Sequence, residues 1–109
     1  MRTTESDLFT QLNQETGKLG WKELERHFAH GVVVKVGVEL DLVEVAAAMA
    51  RDDKNKISTW MGNGLIARAD DQDALRWGTD TQQLWAVVVA PWVLVQEILP
   101  SPVPSLSVN

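Results

Sequence analysis

The stretch Leu84-Trp85-Ala86-Val87-Val88-Val89-Ala90-Pro91-Trp92-Val93-Leu94-Val95-Gln96-Glu97-Ile98 decides the fold. It is apolar on both parities. Trp85, Val87, Val89, Val93 and Val95 fall on one, and Leu84, Ala86, Val88, Trp92 and Leu94 on the other, the pattern of extended chain covered on both faces. Pro91 has no N–H to give to a ladder, so it belongs at an edge or a bulge and splits the run in two. A competing reading starts a helix at Pro91, because proline suits a first helical turn, although the β-branched residues that follow favour strand. The run is also shorter than the roughly 18 residues needed for a membrane-spanning helix.

Working outward, the other strong β signal is Val32 to Val38, rich in valine and bounded by Gly31 and Glu39. Helical signals fill the rest. Leu8, Phe9 and Leu12 follow the capping candidates Ser6 and Asp7, and Gly17 supplies a stop, giving a helix over 7–16. Trp21, Leu24 and Phe28 give a second over 21–29. Asp41 stands three residues before Glu44, the spacing of a capping box, ahead of a third helix over 42–51. Asp52 or Asp53 caps a fourth that carries Ile57, Trp60 and Met61 and ends at Gly62. Leu65 to Arg68 is extended, and Asp70 caps a fifth helix with Ala74 and Trp77.

These elements predict an α+β fold in which a small, mainly antiparallel sheet, with strands near 32–38 and 84–97, is covered by about five short helices. The strand near 32–38 is expected to pair with that near 84–90. At 109 residues the chain suits one core, a single domain over 1–99, with the Pro- and Ser-containing segment 100–109 as a flexible tail.

Composition closes several classes of function. There is no cysteine, which removes disulfides, thiolate zinc sites, iron–sulfur clusters and cysteine nucleophiles. A net charge of -5, with Lys and Arg scattered, argues against nucleic-acid binding, which depends on neutralising phosphates. The N-terminus lacks the apolar core of a secretory signal, so a soluble, cytoplasmic protein is expected, with no membrane partner. No motif implies a cofactor.

The segments LDLVEVAAAMARDD, STWMGNGLIARA and WAVVVAPWVLVQE, in that order, resemble a bacterial family known as Domain of Unknown Function 2288. The likeness spans residues 8–98 and rests on Leu40 to Leu42, Asp52, Asp53, Trp60, Trp77 and Pro91 to Glu97. It implies no reaction, ligand or catalytic residue. Where the family tends to carry Lys-Pro-Thr ahead of the Trp77 helix, this chain has Arg68-Ala69-Asp70, and aspartate caps as well as threonine.

The remaining polar motifs each have a structural explanation. His27 and His30 could face one metal ion, but both sit in a last helical turn, where the helix dipole favours a cation. Asp41 and Glu44 could act as paired carboxylates, yet their spacing is that of a helix start. Gly62-Asn63-Gly64 follows a helix instead of opening one, so it reads as a stop and turn rather than a phosphate loop. The Asp52-Asp53 stretch puts Lys54 and Lys56 where a calcium loop needs oxygen ligands.

Five tryptophans against two phenylalanines and no tyrosine are the most unusual feature. Most are expected in the core. Trp92, beside Pro91 and sharing a parity with Gln96, is the one expected to face a partner or cleft, so Trp92, Gln96 and Glu97 are the interface candidates. The leading expectation is a non-enzymatic binding or oligomerising module with a protein partner or self-association. The alternative is a small enzyme, or a metabolite- or metal-binding protein, with a pocket using Asp41, Glu44, His27 or Gln96.

Overall fold

The last strand among the described residues lies in the middle of the sheet. In the computed structural model, which describes residues 5–79 and 83–98, the elements run α1 (Glu5–Glu15), β1 (Gly17–Leu19), α2 (Trp21–Ala29), β2 (Val33–Val36), α3 (Leu42–Ala50), α4 (Lys54–Gly62), β3 (Ile66–Arg68), α5 (Asp71–Thr79), β4 (Leu84–Val89) and β5 (Trp92–Glu97). The five strands are ordered β1-β4-β5-β2-β3. All neighbours are antiparallel except β2 and β5, which run parallel with Val33 opposite Val93 and Lys35 opposite Val95.

The α+β class and the mainly antiparallel sheet are as expected, but one pairing is corrected. β2 does not pair with β4; β5 lies between them. The physical reason is Pro91. It occupies the turn between β4 and β5, where no ladder bond is required of it, so the two halves of the apolar run fold back on each other as a hairpin. Residues 92–97 are strand, which settles the helix alternative. The proposed tail, 100–109, lies outside the described residues.

Alternation along β5 builds two cores. Leu94 joins Val34, Val36, Ile66 and Val87 under α1, α3 and α4. Ala46 and Ala47 of α3 are wholly buried there, and their small side chains let the helix approach the sheet closely. Val93 and Val95 join Val33, Leu84 and Ala86 under α2 and α5, through Leu24 and Trp77. Trp21 of α2 packs between Phe28 and Trp77, with ring centroids 5.6 and 6.5 Å away. The sheet is therefore the middle of three layers.

Cover is incomplete at one strand. Trp85 is 37% exposed and Val88 55% exposed, on opposite faces of β4. The expectation of a core position for most tryptophans fails at Trp85, whose ring instead carries the Lys18 ammonium 5.1 Å from its centroid. Its cross-strand neighbour in β1 is Lys18 itself. No helix among the described residues is long and apolar enough to cross a membrane.

Local chemistry explains the helix boundaries. Asp41 Oδ1 accepts from the backbone N–H of Val43 at 2.9 Å and caps α3, and Asp53 accepts from Lys56 N–H at the start of α4. At the start of α5 the two carboxylates reciprocate: Asp73 N–H donates to Asp70 Oδ1 and Asp70 N–H to Asp73 Oδ2, both at 3.0 Å. α4 ends at Gly62, and Gly64 turns the chain into β3 with a φ of 74°.

Gln96 anchors the loop after β2. Its Nε2 donates to the carbonyls of Gly37 at 2.8 Å and Leu40 at 2.7 Å. Gly37 eases a close approach there: a Cβ would lie a tight 3.1 Å from the Leu65 carbonyl oxygen, to which the Gly37 N–H donates at 2.7 Å. Replacing Gln96 by alanine is expected to leave both carbonyls without this donor and to lower stability by about 1–3 kcal/mol. Urea unfolding measures the loss, and faster amide exchange over 37–41 locates it.

Candidate functional site

Two polar arrangements and one apolar cleft lie on the faces of the sheet. The cleft, about 520 Å³, opens on the α1/α3/α4 side, between α4 and the β4–β5 turn. Its walls include Met49 at the end of α3, Ile57 and Met61 of α4, Val89 and Pro91 of the turn, and Trp92 at the start of β5. These positions follow from periodicity: Ile57 and Met61 are four apart on α4, and Trp92 falls on the same face of β5 as Leu94. Met61 is 55% exposed, so the apolar wall is open to solvent.

Arg68, the last residue of edge strand β3, reaches across β2 and lays its guanidinium over Trp92, 5.2 Å from the ring centroid. Asp52, Lys54 and Ser58 add polar atoms to the cleft. Asp52 has a φ of 57°, in the left-handed region where aspartate is tolerated, and this turn brings α4 back over β3.

The opposite face carries an ion-pair network. Asp73 is only 2% exposed, yet its carboxylate takes three donors: Lys35 Nζ at 2.8 Å, Arg76 Nη2 at 2.9 Å and the Asp70 N–H at 3.0 Å. Arg76 also bonds Glu97 through Nε at 3.0 Å and Nη2 at 2.5 Å, and the Trp77 indole N–H donates to the same Glu97 oxygen at 3.0 Å. Burial pushes the Asp73 carboxyl up, but the bonds from Lys35, Asp70 and Arg76 outweigh it and hold the group below its ordinary value. Burial acts the same way on Glu97, where the Trp77 and Arg76 donors again prevail and the carboxyl is held down. A smaller hollow of about 260 Å³ adjoins the network, lined by Lys35, Gly37, Arg76, Trp77 and Glu97 among others.

Residues 7–97 match the family model described as protein of unknown function (DUF2288). The chain belongs to the DUF2288 family. A solved structure similar to this DUF2288 chain is the NMR solution structure of PA1075 from Pseudomonas aeruginosa, 40% identical, with a TM-score of 0.76 over 92% of this chain and 94% of that one. No curated protein matches the sequence.

Within this DUF2288 chain the three interface candidates do not converge. Trp92 lines the cleft, Gln96 is on the same face but is spent on the 37–40 loop, and Glu97 points to the other face and its ion pairs. Neither Asp41, Glu44, His27 nor Gln96 lines the Trp92 cleft. Asp41 caps α3, Glu44 is exposed on that helix, and His30 Nδ1 lies 2.8 Å from the Arg26 carbonyl at the end of α2. Among the described residues no group of three His, Asp or Glu is placed to hold a metal ion.

Sequence reasoning missed Lys35, Asp73 and Arg76, and it missed Arg68 as Trp92's neighbour. Asp73 and Arg76 carried a signal, since an acid three residues before a base at a helix start forms a local pair. Nothing local joins either of them to Lys35 or Glu97.

The network makes stability depend on acid. Folded-state values held below the ordinary 3.8 of Asp73 and 4.5 of Glu97 mean that its contribution is fully present above those values and is lost as pH falls through the lower, folded ones. Asp73→Asn is expected to destabilise by about 1–3 kcal/mol at neutral pH, leaving Lys35 short of its partner. The gap between variant and parent should narrow as the medium is acidified below 3.8, where the parent carboxyl protonates as well. Urea titrations at neutral and acid pH check both.

Proposed function

We propose that this protein is a non-enzymatic binding module whose ligand seats in the Trp92 cleft. The observation that carries the reading is the cleft itself: an apolar hollow of about 520 Å³, in the size range of ligand sites, walled by an indole and two methionines and open to solvent. Methionine side chains adapt their shape to what binds, which suits an open site. By contrast, the charged groups of the opposite face already neutralise one another, so they offer a ligand little that water does not.

Self-association to complete a core would need apolar strands left uncovered on one face. Trp85 and Val88 of β4 stay exposed, but on opposite faces, and three helices on one face and two on the other cover the rest of the sheet, so the cleft and not self-association carries the reading. The alternative, an enzyme or a metabolite- or metal-binding pocket using Asp41, Glu44, His27 or Gln96, is less favoured, since Asp41 caps α3, Glu44 is exposed, Gln96 anchors a loop and none of the four lines the Trp92 cleft.

A fragment screen followed by NMR tests the reading. Apolar fragments are expected to shift the Trp92 indole N–H and the methyl signals of Met49 and Met61, while Trp85, at the other end of β4 from Val89, serves as the internal reference. A fragment at a hundred times its dissociation constant should raise stability by about 2.7 kcal/mol. A broad screen that moves none of the three cleft residues overturns the proposal.

A further inference from the structure

Arg68 stands apart from the other cations that line the two hollows. Lys35 is bound to Asp73, Arg76 bridges Asp73 and Glu97, and Lys54 lies 3.9 Å from Asp52. Arg68 pairs with no carboxylate among the described residues; its contact is the face of Trp92. Stacking uses the flat face of a guanidinium and leaves its N–H edge free, and it holds the plane in one orientation, so less freedom is lost when that edge forms bonds. A planar fork of N–H donors matches the two oxygens of a carboxylate.

The fork lies at the rim of an apolar cleft. Behind it are Trp92, Met49, Ile57 and Met61, a surface suited to a hydrocarbon chain or ring. Lys54 lines the same cleft and adds positive charge on the α4 side, although Asp52 beside it offsets much of that. The guanidinium rather than the ammonium is therefore the anchor.

Resting on the reading of the cleft as a ligand site, we infer that its ligand is a small organic acid: an apolar body lying against Trp92 and the methionines, with a carboxylate held by the free edge of Arg68. The occupant is an anionic amphiphile of low molecular mass. Two features of the molecule support this choice: a rim cation without a protein counter-ion, and an apolar wall directly beneath it.

Octanoate and octanamide, matched in chain length and differing in charge, separate the two levels of the argument. Titrated into the unmodified protein at neutral pH, octanoate is expected to shift the Trp92 indole N–H and the Met49 and Met61 methyls saturably. Octanamide should shift the same signals with an affinity about tenfold weaker, the worth of a charge-assisted hydrogen bond. Arg68→Gln should bring octanoate down to the octanamide level, leave octanamide unchanged, and leave the unfolding temperature near that of the parent. Arg68→Lys should recover only part of the difference, because an ammonium lacks the fork. Equal binding of the two probes to the unmodified protein overturns the carboxylate inference while leaving the cleft as a site. Failure of both probes to move the cleft signals, with shifts elsewhere or none, overturns the inference, and if the wider fragment screen is silent as well the cleft reading falls with it. The comparison on the unmodified protein decides the matter even if an Arg68 variant folds poorly.

Discussion

Every layer of this molecule is hung on β5. Six residues, Trp92–Glu97, pair antiparallel with β4 on one side and parallel with β2 on the other, and their side chains enter both cores alternately. Val93, Leu94 and Val95 are almost wholly removed from water. A strand in that position has no solvent-facing parity, so its polar residues must find partners inside the protein. Gln96 does so on one face, by holding the 37–40 loop, and Glu97 on the other, by tying α5 to the sheet through Arg76 and Trp77. The two polar residues at the end of the strand thus fasten the two helical layers.

Charge is distributed unevenly between those layers. On the α2/α5 face, Lys35, Asp73, Arg76 and Glu97 form two acids and two bases that satisfy one another around a nearly buried carboxylate. Such a group would be costly unpaired, which is why three donors converge on Asp73. On the α1/α3/α4 face the interior is apolar and the polar atoms stay at the rim, around the open mouth near Trp92. One face is therefore closed chemically as well as sterically, whereas the other keeps an accessible apolar wall with a cation over it.

Much of this could be read from sequence because much of it is local. The boundaries of α2, the Asp41 cap of α3, the Gly62 stop of α4 and the Asp70 cap of α5 all follow from residues within one turn of the boundary. Pro91 likewise sets its neighbour Trp92 apart in the sequence, as a residue expected to face a partner or cleft. What escaped was set by distance along the chain. β1 is three residues long and gains its identity only from pairing with β4. The strand order turns on whether Pro91 is an edge or a turn, and only the closure of the hairpin decides that. Trp85 has the same flanking pattern as the buried residues around it, and no local signal reports that the helices leave it uncovered. Arg68 and Trp92 are joined by the lateral reach of one side chain across β2.

The parallel contact between β2 and β5 joins residues some sixty positions apart, with three helices and two strands made in between. During synthesis, β1 and β2 both leave the ribosome before either has a central strand to lie against: β1 waits for β4, and β2 for β5. The earlier segments can nucleate helices and the β2–β3 pair, but neither core can close until Leu84 to Glu97 arrives and inserts between them. Until then the valines of β2 and the apolar side of α3 are exposed to whatever else is in the cell. A chain arranged in this way gains its cooperativity late and all at once, and its final fifteen or so described residues govern whether the nascent protein folds or is captured by chaperones.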